Sequence, residues 1–284
     1  MLRVAVPNKG SLSEPAERIL SEAGYPARRD GKQLTAIDEQ NGIHLFFLRP
    51  RDIAVYVGAG TLHAGITGRD LLLDARVAAT EVMGLGFARS TFRFAARPGT
   101  ASSLADMSGL RVATSYSHLV ADYLARHHVD APVWRLDGAV EGAVELGVAD
   151  VIADVVQTGS TLRAAGLEVF GEPILESEAV LIRAEGQLDA EVSQALTVLG
   201  RRLNGVLVAR KYVLMDYDIR VELLESAVEI TPGLESPTVS PLADPQWVAV
   251  RAMVERRSTN AAMDKLYALG ARAILVTTIH ACRM

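Results

Sequence analysis

Short runs of β-branched and aliphatic residues alternate with amphipathic stretches along the first two-thirds of the chain. Residues 2–7 read as a strand, and residues 13–23 as a helix with Ser13 at its N-cap and Gly24 as its stop. Residues 34–38 and 43–48 read as paired strands around Asn41-Gly42, a type I′ hairpin signal. Pro50 suits the first turn of a helix that Gly58 ends. Strands follow at 63–67, 82–87, 91–95, 110–114, 133–136 and 151–156, with helices at 119–127 and 140–146. Such alternation predicts an α/β chain with parallel sheets and helices on both faces.

The last 70 or so residues follow a different order. Strands at 212–218, 236–242, 247–254 and 273–279 enclose helices at 221–228 and 260–269. The order β-α-β-β-α-β is the ferredoxin-like pattern. No Gly/Ser-rich or Pro-rich linker precedes it.

An internal echo points to a cleft. Residues 60–70 end a helix, form a strand and stop at a turn bearing Asp70. Residues 147–154 repeat that plan and end on Asp154. Ligands of open α/β sheets bind beyond the carboxyl ends of strands, so two such ends suit two lobes facing each other. Coincidental similarity between α/β segments is the competing reading.

Composition narrows the function. The chain has 284 residues, 49% hydrophobic and 22% charged, which fits a folded protein of two or three domains. A net charge of -5 argues against a general nucleic-acid or membrane surface, so an anionic ligand must be held by a few placed groups. No apolar run is long enough to span a bilayer, and residues 1–7 lead straight into a strand without the regions of a signal peptide. Cys282 is the single cysteine, which leaves no internal disulfide. A cytoplasmic location is expected.

The most informative stretch is residues 141–162. A strand ending near Asp154 runs into Gln157, Thr158, Gly159, Ser160 and Thr161, and a helix begins at Leu162. Backbone N–H groups, hydroxyls and a helix N-terminus together suit a phosphate. Asp154 would repel that phosphate but accepts well from neutral ribose hydroxyls. An ordinary Thr-Gly helix cap fits the same spacing. A nucleoside-triphosphate loop is ruled out, since Gly31-Lys32-Gln33 lacks the final Ser/Thr. Gly58-Ala59-Gly60-Thr61-Leu62-His63 follows a helix and fails as a dinucleotide fingerprint.

The same stretch resembles the signature of ATP phosphoribosyltransferases, through Glu141, Gly147, Ala149, Ile152, Asp154, Val155, Thr158, Gly159, Thr161 and Leu162. Further blocks resemble that family: residues 3–10, Arg49-Pro50-Arg51-Asp52-Ile53, residues 65–70, 136–141 and 230–238. The similarity covers essentially the whole chain and is nearest to the long, actinobacterial form. It implies a two-lobed, periplasmic-binding-protein-like catalytic core and a C-terminal ferredoxin-like (ACT-like) regulatory domain. The expected bounds are 1–90 with 184–211 for lobe I, 91–183 for lobe II and 212–284 for the regulatory domain.

The resemblance also implies chemistry. The family joins N1 of ATP to C1 of phosphoribosyl pyrophosphate, releases pyrophosphate and uses Mg2+. On that reading residues 157–161 cradle the 5′-phosphate, while Asp154 and Glu141 orient the ribose. Lys9 and Arg49 meet phosphates, and Asp70 and Tyr116 serve the ATP site. No dedicated metal cage is expected; the metal rides on substrate phosphates. L-Histidine would inhibit at Asp218, Leu234, Ser236, Thr238 and Ala273. Self-association as dimer and hexamer goes with the family. Residues 80–100 and 185–194 carry no assigned role. A two-lobed solute-binding protein fused to a sensor is the rival reading.

Overall fold

The computed structural model describes residues 1–25, 33–156 and 159–283. The chain forms two compact units, residues 1–21 with 25–198 and residues 22–24 with 199–284.

In the first unit the chain makes β1 (Leu2–Pro7), α1 (Ser13–Glu22), β2 (Thr35–Asp38), β3 (Ile43–Leu48), α2 (Pro50–Gly58), β4 (Ala64–Gly68), α3 (Arg69–Ala75) and β5 (Ala79–Gly84). It then builds β6 (Ser90–Ala96), β7 (Val112–Thr114), α4 (Ser117–Arg126), β8 (Val133–Arg135), α5 (Gly142–Glu145), β9 (Val151–Val156), α6 (Ser160–Ala164) and β10 (Glu168–Ser177). It returns as β11 (Ala179–Ala184) and continues into α7 (Ala190–Lys211).

Two sheets result, one per lobe. The first has the order β2-β3-β1-β4-β11-β5, and the second β10-β6-β9-β7-β8. β1 lies parallel between β3 and β4, and its Val4, Ala5 and Val6 are wholly buried. An apolar run buried on both faces is what a central parallel strand requires. Ile53, Ala54 and Val57 of α2 pack with Ala5, Val180 and Ile182. The second sheet is covered on both sides. Phe92, Phe94 and Val151 face one core, and Ala95, Ala113 and Ile152 face another with Leu162. Truncating Ile152 to alanine costs about 2–5 kcal/mol.

The sheets are mixed rather than parallel. β11 runs antiparallel to β4 and β5, while β6 runs antiparallel to β9 and β10. The cause is topological: the chain leaves the first sheet after β5 and must come back. It crosses at residues 85–89 and again at Glu178. β11 therefore lies in the first sheet, although the expected lobe II ran to residue 183.

The hairpin also departs from the expected two-residue turn. Asp38 pairs with Ile43, leaving a four-residue loop in which Gly42 has φ +62. The Asp38 carboxylate accepts from the Asn41 N–H at 3.1 Å, and this side-chain turn displaces the type I′ geometry.

The second unit contains β12 (Tyr212–Arg220), α8 (Leu224–Ile230), β13 (Thr238–Pro241), β14 (Trp247–Glu255), α9 (Thr259–Leu269) and β15 (Arg272–Thr278). Its sheet order is β13-β14-β12-β15 with every neighbouring pair antiparallel, the ferredoxin-like arrangement expected. Alternation places Val213, Met215, Tyr217 and Ile219 in the core with Ala227 and Leu266 from the helices. The opposite face keeps Leu214, Asp216 and Asp218.

Candidate active site

The cleft lies where the two crossings pass between the lobes. Glu178 on the returning crossing accepts from the Gly86 N–H on the outgoing one at 2.9 Å. Arg69, the first residue of α3, donates to the same carboxylate at 3.2 Å and to Glu81 at 2.8 Å. These contacts hold both crossings against the start of α3.

Asp70 follows at once. It is 7% exposed and is the second residue of α3, whose N-cap is Gly68. Asp70 is therefore not the N-cap. Its carboxylate turns back over Gly68, where an added Cβ would run into Asp70 Oδ1. Asp70 lines a cavity of about 220 Å³ with Lys9, Pro50, Ser90, Tyr116 and Ser177. Tyr116 reaches it from the other lobe. Burial and the neighbouring Asp70 carboxylate push the Tyr116 phenol well above its ordinary value, so it stays a neutral hydrogen-bond donor. Its ring packs edge-on against Phe92, centroids 5.0 Å apart, and carries the Arg51 guanidinium at 4.9 Å. Arg51 donates to Asp74 at 3.2 Å, and Asp74 accepts from the His118 and Leu119 N–H groups that open α4. A carboxylate of one lobe thus caps a helix of the other.

A second cavity of about 410 Å³ is lined by Glu141, Asp154, Val155, Gly159, Ser160 and Thr161. Asp154 is half-buried on β9, and its Oδ1 accepts from the Val155 N–H at 2.7 Å. Burial lifts the Asp154 carboxyl above the usual carboxylate value, the Val155 bond opposes that, and the charges of Glu141 and Asp70 add to the lift. The two echoed carboxylates, one from each lobe, do sense each other. Gly159 has φ +68, a left-handed conformation that a Cβ disfavours, and it opens α6. Ser160 and Thr161 are exposed at that start. Gln157 and Thr158 lie outside the described residues.

The structure therefore gathers Lys9, Asp70 and Tyr116 at one cavity, and Glu141, Asp154, Gly159, Ser160 and Thr161 at the next. Val155 lines both. Arg49 caps α2 in an extended conformation and is exposed; its neighbour Pro50, not Arg49, lines the first cavity. Sequence reasoning missed Ser90, Ser177 and Glu178, which belong to strand ends and a crossing.

This geometry has known counterparts. A family model described as ATP phosphoribosyltransferase matches residues 49–205, and one described as "HisG, C-terminal domain" matches residues 209–281. An ATP phosphoribosyltransferase of Pseudarthrobacter chlorophenolicus is 65% identical over 284 residues, covering 100% of both chains. One from Streptomyces avermitilis is 61% identical over 285 residues, again covering 100% of both. The chain belongs to the ATP phosphoribosyltransferase family. Among solved structures, the ATP phosphoribosyl transferase (HisG:HisZ) complex from Thermotoga maritima shares the fold at a TM-score of 0.62 and 23% identity, covering 72% of this chain and 96% of that one. The two-lobed core and the separate C-terminal domain match the long-form ATP phosphoribosyltransferases.

The expected effector residues scatter over the second unit. Leu234, Ser236 and Thr238 line one groove with Leu214, Arg251 and Met253. Ala273 lines another with Tyr267, whose ring carries the Arg272 guanidinium at 5.3 Å. Asp218 lines neither and sits between Ala249 and Arg272 in the sheet. Ala273 has φ +50, and the β12–β15 register shifts there between Asp216 and Asp218, the mark of a bulge. Asp216 is engaged with Arg251 at 2.6 Å. Among the described residues no group of three His, Cys, Asp or Glu side chains could hold a metal, and no helix is long and apolar enough to cross a membrane.

Proposed function

We propose that the cleft joins N1 of the ATP adenine to C1 of phosphoribosyl pyrophosphate and releases pyrophosphate, the first step of histidine biosynthesis. The observation that carries this reading is the half-buried Asp154 beside Glu141 and the Gly159–Thr161 turn. Carboxylates withdrawn from water suit neutral ribose hydroxyls, and the turn suits the 5′-phosphate. ATP takes the adjoining cavity, where the Asp70 carboxylate, hydrogen-bonded by the neutral Tyr116 phenol, offers an acceptor to the base. Lys9 at the cavity wall meets phosphate, and Arg49 at the start of α2 does so from outside it.

The transition state has the character of a ribosyl oxocarbenium ion, so catalysis rests on alignment and on balancing charge. The charges of Glu141 and Asp70 raise the cost of ionising Asp154, a donor set that fits a cation carried on substrate phosphates. Asp154 and Glu141, with the substrate phosphates, would hold magnesium, which would supply charge neutralisation for the departing pyrophosphate. Asp154 and Glu141 hold the ribose while Lys9 draws the pyrophosphate away from C1.

Residues 212–284 act in this reading as the regulatory domain, with Asp218, Leu234, Ser236, Thr238 and Ala273 toward L-histidine. Assembly as dimer and hexamer and a cytoplasmic site of action complete the proposal. Pyrophosphate release by the purified protein tests it. Turnover should need ATP, phosphoribosyl pyrophosphate and magnesium together and fall when L-histidine is added. Persistent turnover in excess chelator would remove the metal from the reading, and no turnover with all three present would remove the reaction.

A further inference from the structure

Ser177 had no motif to announce it, yet it makes a close, buried polar contact in the cleft. Its hydroxyl donates to Asp70 Oδ1 at 2.7 Å and accepts the Asp70 N–H at 3.1 Å, across 107 residues of chain. Both groups are buried, at 5% and 7% exposure. Gly68 leaves the space into which the Asp70 carboxylate folds. Ser177 is itself fixed: it ends β10 opposite Ser90, and the next residue is Glu178, clasped by Gly86 and Arg69. The carboxylate therefore has one rotamer enforced by Ser177 at Oδ1, and the Tyr116 phenol of the other lobe hydrogen-bonds the same carboxylate at the cavity.

We propose that Ser177 is a positioning residue for ATP: its hydroxyl holds the Asp70 carboxylate in the orientation that receives the adenine. The inference rests on the reading that Asp70 meets ATP. A group fixed before substrate arrives loses no rotamer freedom on binding, so its contact is realised in full. Without the hydroxyl, Asp70 keeps only the Tyr116 phenol as a side-chain partner, its rotamer is no longer enforced, and ATP must orient it. Phosphoribosyl pyrophosphate, bound at the Asp154 side, does not depend on this contact.

Steady-state kinetics of Ser177→Ala, Ser177→Thr, Asp70→Ala and the Asp70→Ala/Ser177→Ala double variant test the idea, with Tm measured for each. Ser177→Ala should raise KM for ATP about tenfold, the scale of one lost hydrogen bond to a charged group, with KM for phosphoribosyl pyrophosphate within about twofold. Ser177→Thr, which keeps the hydroxyl, should restore most of the loss. In the Asp70→Ala background the Ser177 change should add nothing, because its partner is gone. Full additivity there, or equal rises in both KM values with a lowered Tm, would show a merely structural serine and overturn the proposal. Should Asp70→Ala raise KM for ATP while Ser177→Ala does not, the proposal fails and the ATP reading stands. An Asp70→Ala enzyme with unchanged KM for ATP would overturn both.

Discussion

The cleft and the C-terminal sheet treat their polar groups in opposite ways. Asp70 and Asp154 are withdrawn from water and held by named partners, Ser177 for one and the Val155 N–H for the other. Ser236 and Thr238 stand exposed beside or on the edge strand β13, and Ser236 Oγ donates to the Pro237 carbonyl at 3.4 Å. On the proposed reading, the groups assigned to chemistry are fixed by the fold before the substrate comes, even where an ionised carboxylate weakens that fold. The groups proposed to meet the effector lie where a small change in pairing or packing alters them at little cost.

That contrast is breakable. The largest effect is expected from Asp154→Ala and Thr161→Ala, each lowering kcat by about 10²–10⁴. Calorimetry should find histidine binding unchanged in both; joint loss of turnover and histidine binding would mean that the two regions are not separate. Next come Asp218→Ala and Thr238→Ala, which should raise the histidine concentration for half-inhibition about tenfold with kcat kept. Inhibition curves that overlay the parent's would remove those residues from the effector site.

Gly68→Ala sharpens the first half of the comparison. Its new Cβ meets Asp70 Oδ1, so the carboxylate must move and KM for ATP should rise several-fold while the Tm changes little. An unchanged KM would show that the enforced rotamer is unimportant. The smallest effect is a gain. Asp154 has its pKa raised by folding, so its contribution to stability is present below the ordinary carboxylate value and is lost as pH rises through the shifted one. Asp154→Asn should therefore raise the Tm by a few degrees at neutral pH, and the gain should vanish in acid. A constant difference across pH would assign it to packing instead.

Much of this layout was legible in the residues. β-branched runs gave the central strands, and the loop after Asp154 with its echo at Asp70 gave both halves of the cleft. The illegible parts share a cause. β10 contains Gly171 at φ +64 and Pro173, and its register slips between Phe170 and Leu175, so a bulge inside the strand reads locally as a turn. β11 carries the apolar run Val180-Leu181-Ile182, a fair strand signal, but no local pattern states which sheet a returning strand will join. Ser177 is polar, isolated and dependent on a partner 107 residues away. The Asn41-Gly42 turn failed for the opposite reason: a nearer interaction, from Asp38, prevailed over a good dipeptide rule.

The double crossing has a consequence for the order of assembly. β11 sits between β4 and β5, and β5 joins the first sheet through β11 alone. A ribosome delivers β5 early and β11 only after all of lobe II, so the first sheet is limited to β2-β3-β1-β4, two strands short, while β6 to β10 are made. The second sheet has its whole sequence in hand by then, and its first and last strands are neighbours through Ser90 and Ser177, which keeps its closure local to itself. Lobe II is thus free to fold as an inserted module whose completion pulls β11 into place. Asp70, synthesised long before, receives the Ser177 hydroxyl only at that step. The acceptor in the cleft is therefore one of the last groups to be set, and it is set by the arrival of the other lobe.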